Sequence, residues 1–173
     1  MKGKGQSYGA EFYIEKKYGK ITGWISYTLS KTTKQINGIN NNTSYPDTYD
    51  KRHNLSLVLI YKLSKAWDIG STFKLTSGGY ITIPEGSFIY YGASFNYYTT
   101  RNGYKLPPYH RLDISFTYKN PKQQLKSRKQ ECNFGIYNFY GRKNIFSLFI
   151  RQDDYELDIS RAYKMYLYGI TPY

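Results

Sequence analysis

The stretch RNGYKLPPYHRLDISFTYKN, residues 101–120, contains the pattern that decides the fold of this chain. Apolar side chains occupy every second position of its second half: Leu112, Ile114, Phe116 and Tyr118. Polar or charged side chains occupy the positions between them: Arg111, Asp113, Ser115, Thr117 and Lys119. A period of two predicts a β-strand with one apolar face and one polar face. Pro107 and Pro108 lack the amide hydrogen that a strand donates, so they suit the loop before it.

Composition favours strands along the whole chain. The 173 residues include 22 Tyr, 9 Phe and 15 Gly, a balance typical of strands and turns, and the length fits one domain. The hydrophobic fraction is 40% and the mean hydropathy is −0.67. No apolar run approaches the roughly 20 residues of a membrane-spanning helix. Strands of a membrane barrel, in contrast, carry their apolar residues in alternation.

The two-sided pattern recurs and predicts further strands. Four of them precede the strand of the opening stretch: residues 8–17, 21–34, 52–63 and 67–76. Two minimal turns, at 18–20 and 64–66, close hairpins, whereas long polar connections occupy 35–50 and 77–108. Short turns that alternate with long loops are typical of an outer-membrane barrel, in which the short turns face the periplasm.

The C-terminal part predicts two more strands. We interpret residues 131–152 as one long strand with a break near Gly141, residues 153–161 as a polar loop, and residues 166–173 as the start of a last strand. Seven strands with an incomplete end leave edges that lipid cannot satisfy, and the first ten residues lack the apolar core of a signal peptide. The chain is therefore expected to be part of a larger barrel, incomplete at both ends.

At this point the sequence resembles a known family. Six segments carry the resemblance, in order: YGAE (8–11), GWISYTLSKT (23–32), YPDTYDKRHNLSLVLIYKLSKAW (45–67), TSGGYITIP (76–84), RNGYKLPPYHRLDISFTYK (101–119) and GIYNFYGRKN (135–144). They are similar to the C-terminal barrel strands of TonB-dependent outer-membrane receptors of the Bacteroidota type, over nearly the whole chain.

The resemblance implies an all-β fold and a transport function. It implies an antiparallel up-and-down transmembrane barrel of about 22 strands around a plug, of which residues 1–173 would supply about the last seven, without the plug domain or the TonB box. Such receptors take up a scarce nutrient (siderophore, cobalamin, glycan or peptide) across the outer membrane of a Gram-negative bacterium. The implied partners are outer-membrane lipid, the plug and remaining strands, TonB through the missing N-terminal part, and, as a further candidate, a surface lipoprotein. The alternative is a self-contained small outer-membrane barrel or adhesin of about eight strands.

Two groups of candidate site residues follow. In such a barrel the apolar positions of the opening strand would face lipid, while Arg111, Asp113 and Lys119 would line the lumen. The loop at 79–108 is rich in aromatic residues that suit stacking on sugars or other flat ligands, or the interfacial girdle of a barrel. We predict ligand contacts at eight of them, in an extracellular loop: Tyr80, Phe88, Tyr90, Tyr91, Phe95, Tyr97, Tyr98 and Tyr104.

Other chemistries find little support in the sequence. His53 and His110 lack a third ligand at metal-binding spacing, so structural hydrogen bonds are the expected role and no metal or cofactor is predicted. No nucleophile elbow or phosphate loop accompanies the carboxylates, so no catalytic residue and no enzyme activity are predicted. The net charge of +13 raises nucleic-acid binding, but the cations are spread over turns such as 119–129 without a single-strand-binding motif, so no nucleic-acid partner is expected.

Overall fold

The chain is all-β. The structure is a computed structural model that describes residues 2–121, 130–152 and 160–173. Within these ranges there is one 3-10 turn, Asn40–Asn42, and no helix with the length and apolar character needed to cross a bilayer. The β-strands are β1 Gly3–Lys16, β2 Ile21–Ile36, β3 Tyr45–Pro46, β4 His53–Lys62, β5 Trp67–Thr76, β6 Tyr80–Ile81, β7 Gly86–Tyr90, β8 Ala93–Tyr97, β9 Tyr104–Lys105, β10 Tyr109–Lys119, β11 Glu131–Tyr137, β12 Ile145–Gln152, β13 Ser160–Tyr166 and β14 Thr171–Pro172.

One antiparallel sheet dominates the molecule. Its strands follow the order β1-β2-β4-β5-β10-β11-β14, and β3 pairs with β2 beside that path. Strands that neighbour each other in space also follow each other in this sequence order, so the path is an up-and-down meander with seven strands, the last of only two residues. This confirms the predicted antiparallel all-β fold. Within the described ranges β1 pairs only with β2 and β14 only with β11, so these strands form an open sheet.

The interpretation of residues 131–152 as one strand is wrong. Only β11 belongs to the main sheet, whereas β12 pairs with β13 in a separate hairpin. The chain leaves the sheet at Asn138, which has a φ of 55° and hydrogen bonds through its side chain to the backbone of Arg142 and Tyr168. Most apolar residues of β11 and β12 occupy even-numbered positions, so the alternation does not reveal where the chain leaves the sheet.

The last part of the chain also differs from the expectation. Residues 153–159 of the predicted loop lie outside the described residues, but Ser160 and Arg161 already belong to β13. In the predicted strand at 166–173, Thr171 and Pro172 pair with Tyr137 and Ile136 of the main sheet, and the backbone of Tyr173 exchanges two hydrogen bonds with Gly135.

The register of the sheet collects the apolar residues of six strands on one face. Residues paired across neighbouring strands point to the same side, and the pairs chain Ile25 to Leu57, Leu57 to Phe73, and Phe73 to Leu112. We call this side the apolar face; it includes Phe12, Ile14, Ile25, Tyr27, Leu55, Leu57, Leu59, Ile69, Phe73, Leu75, Leu112, Ile114, Phe116, Phe134 and Ile136.

The opposite side, the polar face, carries hydroxyl and charged groups. It includes Ser26, Thr28, Ser56, Asp68, Thr72, Lys74, Arg111, Asp113, Ser115, Thr117, Lys119 and Asn133. The alternation is not perfect, because Trp24, Val58 and Ile60 also lie on this face. The predicted two-sided character of the strands is confirmed for the sheet as a whole.

The long connections emerge from one end of the sheet and the tight turns from the other. Residues 37–52, 77–108 and 138–170 connect strands at the end that we call the loop end. Residues 17–20 and 63–66 form tight turns at the opposite end, the turn end. The predicted alternation of short and long connections is confirmed.

Tight packing occurs at the loop end rather than on the sheet. Among the described residues the only buried large apolar side chain is Tyr45. Five of the six buried polar residues lie at the loop end: Asp47, Asp50, Asn102, Asn138 and Asn144. Side chains of the apolar face stay accessible, with Phe12 60% and Ile14 69% exposed. The sheet therefore presents an apolar face that no described residue covers.

Candidate functional site

The loop end is held together by asparagine side chains. Asn40 donates to the carbonyl of Arg101 at 2.9 Å and accepts from the Arg101 amide at 2.7 Å, which copies the pairing of two strands. Next to it, buried Asn102 donates to the carbonyl of Pro46 at 2.8 Å, and its amide donates to the Thr82 hydroxyl. These bonds join residues 37–52 to residues 77–108, and we call the two segments together the loop layer.

Two buried aspartates attach the loop layer to β2. The Asp50 carboxylate accepts the Thr32 amide at 2.8 Å. Asp47 forms an ion pair with Lys34 and accepts the amide of Tyr49 at 3.0 Å. The side-chain hydrogen bond from Lys34, followed by that amide, lowers the pKa of Asp47 below its ordinary value. The side chains of Asp47 and Asp50 therefore anchor this layer to β2.

Residues 86–97 form an aromatic hairpin that projects from the loop layer. Tyr91 and Gly92 have φ angles of 49° and 75°, as in the two-residue turns that match strand twist. The register places Phe88 opposite Phe95 and Tyr90 opposite Ala93, so four aromatic rings lie on one side: Phe88, Tyr90, Phe95 and Tyr97. The Tyr97 ring covers Gly86, where an added Cβ would lie only 2.5 Å from it.

The aromatic hairpin contains most of the predicted ligand residues. Besides the four rings of its aromatic side, Tyr91 occupies the tip with 92% of its surface exposed, and Tyr98 follows β8. Tyr80 and Tyr104 lie elsewhere, in the short β6–β9 pair, where the ammonium of Lys105 lies 5.6 Å above the Tyr80 ring. The structure thus brings five of the eight residues into one hairpin, and their ligand contact stays a prediction.

Arg111 is the centre of a network on the polar face. Its guanidinium donates to Asp113 at 2.9 and 3.0 Å, donates to the hydroxyls of Tyr109 and Tyr137, and lies 3.9 Å above the Tyr137 ring. The other oxygen of Asp113 accepts the amide of Asn138 at 2.9 Å. The Asp113 carboxylate therefore connects the sheet to the point where the chain leaves it.

Lys119 lies on the same face at the turn end. Its ammonium contacts the Asp68 carboxylate at 2.6 Å, in an ion pair that is only partly accessible. Arg111, Asp113 and Lys119, the three residues predicted to share a polar side, do share it. Their position in a barrel lumen stays a prediction.

A cleft of about 460 Å³ opens on the polar face at the loop end. Three cationic side chains line it, and we call it the cationic cleft after them: Lys51, Lys74 and Arg111. Sequence reasoning missed both lysines as site residues. The alternation already placed Lys74 on the polar side, but its position opposite Arg111 depends on the register of β5 against β10.

Both histidines make the expected structural hydrogen bonds. The His53 ring binds the Tyr27 hydroxyl at 2.8 Å, and the His110 ring binds the Tyr140 hydroxyl at 2.7 Å. Over the described part of the chain, no three His, Cys, Asp or Glu side chains lie close enough together to hold a metal ion.

Comparisons with known proteins add no identification. Neither the family models, nor the curated proteins, nor the solved structures contain a match to this chain.

Proposed function

We propose that this chain forms part of the wall and the external loops of an outer-membrane receptor of the TonB-dependent type, which takes up a scarce nutrient. The observation that carries the proposal is the apolar face, which spans six strands and is covered by none of the described residues. A water-soluble sheet of this size would bury such a face against a second layer. Lipid is the environment in which the face needs no protein cover.

The lengths of the central strands fit a bilayer. β4 and β5 have 10 residues each and β10 has 11. A tilted strand needs about 9 to 11 residues to cross the hydrocarbon core. The longer strands β1 and β2 would extend beyond it, as strands under external loops do.

Aromatic residues lie near both ends of the apolar face. At the turn end, the Trp67 ring lies 5.0 Å from Tyr118 and 6.0 Å from Phe134. At the loop end, the Tyr27 ring stacks 6.4 Å from Phe12. Bands of aromatic rings at the two lipid–water interfaces are typical of outer-membrane barrels.

Orientation follows from the connections. The loop end would face the outside, so the aromatic hairpin would meet ligands there, and the polar face would line a water-filled interior that holds the plug. The turn end would face the periplasm. Further strands, contributed by other parts of the receptor, would pair with the two open edges of the sheet.

The facing of the sheet can be tested with neighbouring residues of one strand. In a Cys132→Ser background, which removes the one native thiol, Leu57→Cys and Ser56→Cys each receive an environment-sensitive bimane label in the membrane-inserted protein. We expect brominated lipid to quench the label at Leu57 and aqueous iodide to quench the label at Ser56. The same pair of labels on Leu112→Cys and Thr117→Cys repeats the test on β10.

Equal iodide quenching at both positions of each pair would contradict the membrane proposal. Preferential lipid quenching at the serine and threonine positions would reverse the facing and contradict it as well. A labelled Tyr18→Cys in the turn between β1 and β2, 84% exposed, provides the reference for full access to iodide.

The receptor role requires a separate test in cells that produce the complete protein. Replacing Tyr90 and Tyr91 by alanine should reduce growth on the one limiting nutrient that the receptor imports, within a panel of iron, cobalamin, glycan and peptide sources. The amount of protein assembled in the outer membrane is measured in parallel. Normal growth on every source, with normal assembly, would remove the aromatic hairpin from the ligand site.

A further inference from the structure

The cationic cleft contains more positive charge than the fold requires. Lys74 on β5 and Arg111 on β10 are directly opposite each other in the register. Residues in that relation lie about 5 Å apart at their Cα atoms, and like charges placed so destabilise a sheet. Lys51 lines the same cleft from the segment before β4.

The nearby carboxylate of Asp113 neutralises Arg111 but neither lysine. Asp113 uses one oxygen for Arg111 and the other for the amide of Asn138. Within the described ranges, Lys51 and Lys74 form no ion pair, and both side chains are exposed. Two lysines are therefore available to an anion that enters the cleft, beside an arginine whose side chain is only 21% exposed.

Apolar side chains also line the cleft. Leu106, Pro107 and Leu167 line it together with Ile145 and Phe146 of β12. β12, which belongs to the separate hairpin, thus brings apolar side chains to the polar face. Thr76 and Tyr109 also line the cleft; the Thr76 hydroxyl already donates to Asn54, and the Tyr109 hydroxyl accepts from Arg111.

We infer that the cationic cleft binds a small organic anion, with its carboxylate between Lys51 and Lys74 and its apolar body against Ile145 and Phe146. A cleft of about 460 Å³ has the size of a small-molecule site. The inference deepens the proposed function, because it assigns a ligand class to the face that would line the receptor interior. The binding itself is a property of this chain and does not require a membrane.

The probe for the test is 4-fluorobenzoate, observed by fluorine NMR with the 173-residue chain in zwitterionic detergent micelles. We expect line broadening that saturates with millimolar affinity, since an exposed site offers two charge-assisted contacts. Matched neutral and cationic probes, 4-fluorobenzyl alcohol and 4-fluorobenzylamine, should show only the broadening caused by empty micelles. Raising the ionic strength should weaken binding of the benzoate.

Two variants locate the site. Lys74→Gln and Lys51→Gln should each raise the dissociation constant of 4-fluorobenzoate about tenfold, the loss expected for one charge-assisted contact. Lys62→Gln removes the same charge from the turn end and should leave the constant unchanged. Because all three lysines are exposed, folding of the variants is not at risk, and strand content measured by circular dichroism verifies it.

Each outcome decides the inference. Equal broadening by the neutral probe, or equal weakening in the Lys62→Gln variant, would overturn it, because binding would then reflect the micelle or the net charge. Failure of the bimane test with intact benzoate binding would overturn the membrane proposal and leave the anion site standing. Saturable binding of the benzoate that only Lys51→Gln and Lys74→Gln weaken would support the anion site in the cationic cleft.

Discussion

The sheet and the loop layer of this protein place their polar and apolar groups in opposite ways. The sheet exposes an apolar face, on which Phe12 and Ile14 are more than half accessible. The loop layer buries polar residues, among them Asp50 at 2% and Asn102 at 7% accessibility. In water alone both arrangements would be costly unless the exposed face were covered and the buried groups were paired.

The hydrogen bonds explain why the loop layer tolerates its buried polar groups. Asp50 accepts the Thr32 amide, and Asn102 donates to the Pro46 carbonyl. Asn138, at the same end of the sheet but outside the loop layer, donates to two backbone carbonyls. No comparable compensation exists for the apolar face within the described residues. The comparison teaches that one region is complete by itself and the other depends on its environment.

The largest expected effect comes from placing a charge on the apolar face. Ile114→Arg should lower the free energy of unfolding by about 2 to 4 kcal/mol, because the strand position lies near the proposed bilayer midplane. Ser115→Arg, on the polar face of the same strand, should cost less than about 1 kcal/mol. Urea titrations of the membrane-inserted protein measure both values, and equal losses would break the comparison.

Removing a polar anchor of the loop end should cost somewhat less. Asn138→Ala deletes the side chain that binds the backbone of Arg142 and Tyr168 and leaves those groups unsatisfied. We expect a loss of about 2 to 3 kcal/mol, measured by hydrogen exchange at the Phe139 amide, which donates to Leu112. Asn133→Ala, on the exposed part of β11, is the control and should change little.

Acid should loosen the loop layer through Asp47. The pKa of this carboxyl is lowered from 3.8 in the folded protein, first by the hydrogen bond from Lys34, so its contribution is present above pH 3.8 and disappears as the pH falls through the lower, folded value. Protection of the Tyr49 amide from hydrogen exchange should fall in that window by about 1 kcal/mol. In Asp47→Asn the protection should be lower at neutral pH and should no longer change in this window; an unchanged pH profile would exclude Asp47 as the anchor.

The smallest effect is expected at the tip of the aromatic hairpin. Tyr91 is 92% exposed, so Tyr91→Ala should change the free energy of unfolding by less than about 0.5 kcal/mol. A thermal or urea titration measures this value. A larger loss would show that Tyr91 packs against other residues and would weaken its proposed assignment to ligand contact.

Much of the sheet was predictable because alternation is a local property. Leu112, Ile114 and Phe116 lie on one face and Arg111 and Asp113 on the other, as their spacing predicts. A side chain's face follows from the pleat of its own strand, so no knowledge of the neighbouring strands is needed. The turns and long connections were readable for the same reason, from runs of Gly, Asn and Ser.

The site was less predictable because it depends on neighbours that are distant in the sequence. The interpretation of residues 131–152 as one strand failed at Asn138, whose hydrogen bonds reach as far as Tyr168. The bond between Asn40 and Arg101 joins residues 61 positions apart. Nothing in the local pattern distinguishes these asparagines from ordinary loop residues.

By itself the sequence determined a two-sided antiparallel sheet and the separation of tight turns from long loops. These features follow from the period of two and from turn chemistry, which act within a few residues. Only the tertiary structure placed Lys74 opposite Arg111 and brought β12 to the cationic cleft. It also buried Asp47 and Asp50 within the loop layer. Register and loop packing decide those contacts, and both arise from the sum of many weak long-range interactions that no short stretch contains.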